Sequence, residues 1–271
     1  MTKHRLLLFL GIPLLGALLI AGVRIGDRSG TFYGTAESFG DGTVRTFMTR
    51  HSDGRPLSVG ILLSDGALNN LPAEMPHVGP AHETALTLPR QARDLPFDHV
   101  SVDWNPMGHE PEGLYALPHF DVHFYVMTEA ERNTIDPTAK NFEVKAGRQP
   151  EAAFLPPNHV PAPGAVPRMG NHWVDLAAPE MNGQPFSTTV LYGTWDGNVT
   201  FLEPMITKAY VESVREMEGQ MVEKAIPQPE KVQVTGYYPM SYSIQYDDLK
   251  NAYAITLGGL TLRTASHGSA K

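Results

Sequence analysis

Apolar and polar residues alternate along most of the chain with the two-residue period of β-strands. Thr43–Thr49 and Leu57–Leu63 are rich in β-branched and aromatic residues and lie between Asp41-Gly42, Asp53-Gly54 and Asp65-Gly66. Asp-Gly accepts the positive φ of tight turns, so this even spacing predicts an antiparallel meander. Asp196-Gly197 joins Phe186–Gly193 to Asn198–Glu203 as a further hairpin, and Tyr242–Tyr246 with Tyr253–Leu257 form a last one around Asp247-Asp248. The fold class expected is mainly β, an antiparallel sandwich or a barrel.

The alternation lapses in four places. Pro72–Asp98 is polar and proline-punctuated, and reads as surface loop with one strand at most. Thr128 to Glu131 matches a capping box and predicts a short helix. Residues 150–185 carry eight prolines, too many for a helix or a central strand, and read as a wrapping loop or a linker. Finally, Tyr210, Val214, Met217, Met221 and Ala225 fall on one helical face, predicting an amphipathic helix over residues 207–226 that packs on the sheet.

The N-terminus has a different pattern. Residues 1–22 place Lys3 and Arg5 before an uncharged run from Leu6 to Gly22, the layout of a secretory signal peptide or, if uncleaved, a membrane anchor. The expected organisation is therefore this leader, one β-rich domain over residues 23–263, and a loose tail over residues 264–271. The protein is expected to be exported, periplasmic or extracellular, and to meet a membrane only through residues 1–22.

Composition narrows the chemistry. The 271 residues include no cysteine, which excludes disulfides, thiolate metal sites and a cysteine nucleophile. Losing the leader removes Lys3 and Arg5 and no acid, so the formal charge of -8 becomes more negative still. A chain so acidic lacks the basic footprint of a nucleic-acid binder. No Gly-x-Ser-x-Gly elbow, Walker loop or dinucleotide fingerprint is present.

The candidate chemistry gathers between Trp104 and Tyr125. Phe120, Val122 and Phe124 alternate with His119, Asp121, His123 and Tyr125, so a strand here turns one set to the core and the other to the opposite face. Residues two apart on such a row lie roughly 6.6 Å apart, near enough to share one metal ion, whereas His119 and His123 at roughly 13 Å are not. The pair is His119 with Asp121 or Asp121 with His123, and the remaining histidine is an outer-sphere or surface residue. His109, with Glu110 and Glu112, lies in the preceding loop. His172 follows the proline-rich stretch, and Glu203 ends a strand before Pro204. Histidines with a carboxylate on a β scaffold point to zinc, iron or manganese with an open coordination position. The candidate ligands are thus His109, His119, Asp121, His123, His172 and Glu203, with Glu110, Glu112 or Glu203 as ligand or general base. Such an ion would serve a hydrolase, lyase or oxygenase acting on a small molecule.

The block Gly108–Pro111 through Pro118–Tyr125, together with Met169–Asp175, Phe201–Thr207 and Gly236–Pro239, resembles a small family of exported bacterial proteins of unassigned function, one member of which belongs to a sigma-E envelope-stress regulon. The resemblance implies a β-rich exported protein capable of self-assembly as a homo-oligomer. Its His and Glu positions fall on His109, His119, His123, His172 and Glu203. It also implies an alternative to an enzyme: a non-catalytic envelope-stress protein that self-assembles or binds a ligand. More loosely, His119-x-Asp121-x-His123 is similar to the metal motif of cupin-type barrels, although Asp121 interrupts the usual His-x-His, and Pro167–His172 only approximates the second cupin motif.

Overall fold

A computed structural model describes residues 29–77, 79, 81–111, 113–217 and 221–266. The leader expected over residues 1–22, Glu112 and residues 267–271 lie outside that set. The first sheet runs in the order β1 (Gly30–Phe39), β2 (Gly42–Arg50), β3 (Pro56–Ser64), β14 (Ala252–Gly258), β13 (Ser241–Asp247) and β11 (Val222–Ala225). The second has the order β4 (His82–Thr87), β5 (His99–Asn105), β6 (His119–Tyr125), β10 (Asn198–Thr207), β9 (Thr188–Trp195), β8 (Gly170–Asp175) and β7 (His159–Val166). β12 (Gly236–Tyr238) and β15 (Thr261–Arg263) form a separate ribbon. All the pairings are antiparallel.

The two large sheets pack face to face as a sandwich. Met48, Val59, Ile61, Ile255 and Leu257 of the first meet Val102, Phe120, Val122, Phe124 and Ile206 of the second in one buried cluster. No closed barrel forms among the described residues, so the sandwich is the expectation that holds, and the likeness to cupin-type barrels is not supported.

The meander is present as β1 to β3, and Asp196-Gly197 turns β9 into β10 with φ of 50° and 80°. Asp65-Gly66 departs from expectation. It opens a 3-10 turn over Asp65–Leu68 whose Ala67 and Leu68 are buried, so apolar burial draws the chain inward instead of reversing it into a fourth strand. The hairpin of β13 and β14 pairs with β3, and the two ends of the domain thereby complete one sheet.

Two other expectations are corrected. The proline-rich stretch is neither loop nor linker throughout, because it supplies β7 and β8. Pro161 and Pro163 sit on β7, the outermost strand, where a missing N–H costs little, and β8 contains no proline. Among the described residues, the amphipathic helix expected over residues 207–226 is only α3, Lys208–Ser213, capped by the Thr207 hydroxyl. Val222–Ala225 instead pairs with the free edge of β13, and Met221 on the expected apolar face is 52% exposed. A ladder of backbone hydrogen bonds here outweighs a few tenths of a kcal/mol per residue of helix propensity. In the tail, Ala265 and Ser266 donate their N–H groups to Thr235 Oγ1 and the Val232 carbonyl, so those residues are tied down. No helix among the described residues is long and apolar enough to cross a membrane.

The other helices are short, α1 at Glu129–Arg132 and α2 at Phe142–Ala146. The capping box at Thr128 and Glu131 forms as expected. It turns Arg132 inward, fully buried, where the guanidinium bonds both Glu83 oxygens at 2.8 and 2.9 Å. Arg168 approaches the same carboxylate at 2.7 Å. Burial opposes ionisation of Glu83, but the two guanidinium groups outweigh it and hold the carboxyl below its ordinary range.

Candidate metal centre

The face of the second sheet turned away from the sandwich core is also buried. The loop between β5 and β6 folds back over it, with His109 and Tyr115 bridged and the His109 N–H bonded to the Tyr115 carbonyl at 3.1 Å. Tyr115, Val174, Phe186, Leu191 and Met205 close this second layer as an apolar cluster. The polar row of β6 is therefore not solvated. His119 and His123 have no exposure and Asp121 has 4%.

The six candidate ligands assemble into two groups. His109, His119 and Asp121 form one, and His123, His172 and Glu203 the other, with the ligand atoms of each group within 4.8 Å of one another. Of the pairings left open by the sequence, His119 with Asp121 is realised. His123 is not left over as an outer-sphere or surface residue: it sits beside Glu203 of β10, and His172 reaches the same carboxylate from β8. Nor does Glu203 end its strand. β10 continues to Thr207 at the centre of the sheet, and only its ladder to β6 breaks at Glu203 and Pro204, where proline has no N–H to give. His159 belongs to neither group.

In the first group His109 Nε2 lies 3.3 Å from Asp121 Oδ2, and His119 Nε2 lies 3.1 Å from Asp121 Oδ1. His119 Nδ1 is 2.6 Å from the Leu117 carbonyl and His109 Nδ1 is 2.6 Å from that of Glu110. A carbonyl can only accept, so each Nδ1 carries a proton; in the neutral ring Nε2 then offers its lone pair to an ion, and in the doubly protonated ring it donates to Asp121. Asn105 Nδ2 donates to Asp121 Oδ2 at 2.7 Å and fixes the carboxylate. His119 Nε2 and Asp121 Oδ1 have no hydrogen-bond partner despite full burial. Tetrahedral ligands at about 2.1 Å from one ion lie roughly 3.4 Å apart, so the donor set and its spacing fit a divalent cation. Carbonyls behind both imidazoles are the usual outer support of such ligands.

Electrostatics separates the two groups. Burial would raise Asp121, but His119 and His109 outweigh it and hold the carboxyl well below the ordinary carboxylate range. Burial works against a charged His109, yet the hydrogen bond and charge of Asp121 raise its pKa overall. In the second group burial dominates: it lowers His172 to about 4, depresses His123 strongly and pushes Glu203 well up, with Asp121 and Asp103 adding repulsion to Glu203.

A cavity of about 560 Å³ reaches this face, lined by His109, Asp121 and His172 with Glu110 and Tyr115. Sequence reasoning overlooked Asp103 and Asn105. Their signal was the strict alternation of Val100–Asn105, which puts Ser101, Asp103 and Asn105 on the same face as the histidine row. The tyrosines of the last hairpin are engaged in packing and bonding: Tyr246 meets Tyr253 edge to face, and Tyr242 receives a bond from Thr188 Oγ1.

Comparison with known proteins adds one finding. Residues 52–104 match a family described as TTHB210-like, hypothetical protein TTHB210. That segment spans β3 to β5 and stops short of the six candidate ligands. No curated protein and no solved structure matches the chain.

Proposed function

We propose that the protein binds a divalent transition metal, zinc, iron or manganese, on His109, His119 and Asp121 and uses it for hydrolysis of a small molecule entering the cavity. The observation that carries this reading is the pair of fully buried, unpartnered atoms His119 Nε2 and Asp121 Oδ1, only 3.1 Å apart. Leaving such groups unpaired costs on the order of 1–3 kcal/mol each, which a cation between them offsets. When bound, the ion supplies Lewis acidity and a water of lowered pKa. Hydrolysis is favoured over oxygenase chemistry because it requires only the ion and water, with neither dioxygen nor a source of electrons. Asn105 and the Leu117 and Glu110 carbonyls orient the ligands, and Glu110, which lines the cavity, is assigned as the proton acceptor. Since residues 1–22 read as a leader, we place this activity in the periplasm or outside the cell; the mass of the mature chain is expected to lack those residues.

Untagged protein is expected to contain bound metal by elemental analysis, and His119→Ala to weaken binding at this site by about 100-fold or more. Against a panel of chromogenic esters, Glu110→Gln should lower kcat while leaving metal content unchanged. Metal binding unaltered in His119→Ala would overturn the assignment. Full metal content with no turnover of any substrate would favour a non-catalytic ligand-binding role.

A further inference from the structure

The second group lies deeper than the first and makes an independent case. His123 has no exposure, Glu203 has none, and both ring nitrogens of His123 and both oxygens of Glu203 lack any hydrogen-bond partner. His123 Nε2 lies 3.4 Å from Glu203 Oε1, and His172 Nε2 lies 3.6 Å from Glu203 Oε2. Both distances exceed ordinary N–H···O bonds of roughly 2.7–3.2 Å. They match the spacing of roughly 3.4 Å between ligands sharing a cation.

The His123 ring is locked in place. It stacks on Tyr125 with centroids 5.4 Å apart and meets the Phe201 ring edge at 4.8 Å. Phe201 in turn packs on His172 at 5.1 Å. The ring has this room because residue 193, opposite Phe201 in the ladder, is glycine, where a Cβ would lie 2.1 Å from a Phe201 ring carbon. Behind His123, Asp103 Oδ2 lies 3.4 Å from Nδ1, and Asp103 is itself fully buried with both oxygens unpartnered. A carboxylate facing one imidazole nitrogen at 3.4 Å, with the other nitrogen aimed at a shared ligand point, has the layout of a carboxylate–histidine–metal relay whose hydrogen bond would close as the ion is bound.

We infer that the protein holds a second divalent transition metal on His123, His172 and Glu203, with Asp103 as the positioning residue that orients His123. This ion ties β6, β10 and β8 together beneath the cavity, into which His172 alone of its ligands opens. It stands on different residues from the first site, so either site can fail without the other.

The test is a competitive titration of metal-free protein with zinc against a chromophoric chelator, run on the wild type, His119→Ala, His172→Ala and Asp103→Asn. Two equivalents are expected for the wild type and one for each histidine variant. Asp103→Asn should keep two equivalents but weaken one by about 10–100-fold. Cobalt substitution of the wild type supplies a readout that needs no variant: two sets of visible bands saturating at one and two equivalents. A single wild-type equivalent retained in His172→Ala overturns the second site and leaves the first. A single equivalent lost in His172→Ala but kept in His119→Ala upholds the second site and removes the first. No binding at all overturns both.

Discussion

Glu83→Gln is expected to destabilise the fold by about 3–5 kcal/mol at neutral pH, the largest effect foreseen for a single side chain outside the metal ligands. Arg132 is fully buried and its guanidinium is matched to both Glu83 oxygens. Removing that charge leaves an unpaired cation in the interior. Arg132→Met should cost less, because Glu83 keeps Arg168 at 2.7 Å and the methionine fills the space over Tyr125. The pH dependence has a definite sign. The folded-state pKa of Glu83 is depressed below its ordinary 4.5, so its contribution is fully present above that value and is lost as pH falls through the folded pKa. Chemical denaturation of wild type and variant from pH 7 to pH 3 checks this. The gap between them should be widest at pH 7 and shrink below about pH 4.5. A gap under about 0.5 kcal/mol at pH 7 would show that the carboxylate does not support Arg132.

What the sequence revealed follows from the range of the interactions involved. Short-period signals were legible: the meander strands, the Thr128 capping box and the histidine row depend on residues within a few positions of each other. The closure of the first sheet was not legible, since β3 meets β14 across nearly two hundred positions of chain. The helix over residues 207–226 failed for the same reason, because the partner that claims Val222–Ala225 is an edge of β13 formed elsewhere. At the site, all six ligand candidates were identifiable by residue type, but their division was not. Asp121 appeared to compete for two histidines, and only Glu203 on the adjacent β10 and His172 from the more distant β8 show that His123 has neighbours of its own. The burial of the row also escaped the sequence, because the loop between β5 and β6 and the proline-rich strands that cover it carry little periodic signal.

Metal binding is expected to stabilise the fold strongly, and by an amount that grows with pH. Free metal at about a thousand times its dissociation constant adds on the order of 4 kcal/mol per site. For a domain of this size that corresponds to a rise in Tm of roughly 8–16 °C. The sign with pH comes from His109. Its folded-state pKa is raised above the ordinary 6.5 by Asp121, against the effect of burial. In the metal-free protein its ion pair with Asp121 therefore stabilises below pH 6.5 and is lost as pH rises through the raised value. With metal that fall is absent, since an imidazole must shed its proton before its nitrogen can bind an ion, and affinity climbs over the same interval. Glu203, pushed well up chiefly by burial, acts in the same direction at the deeper site, where the cation must displace a proton. Thermal melts with and without a chelator should thus draw apart as pH rises above 6.5, the metal-free curve falling while the metal-bound curve stays level. Melts that coincide at every pH would show that neither group of histidines and carboxylates holds an ion, and the buried atoms without partners would then represent an uncompensated cost at the centre of the sheet.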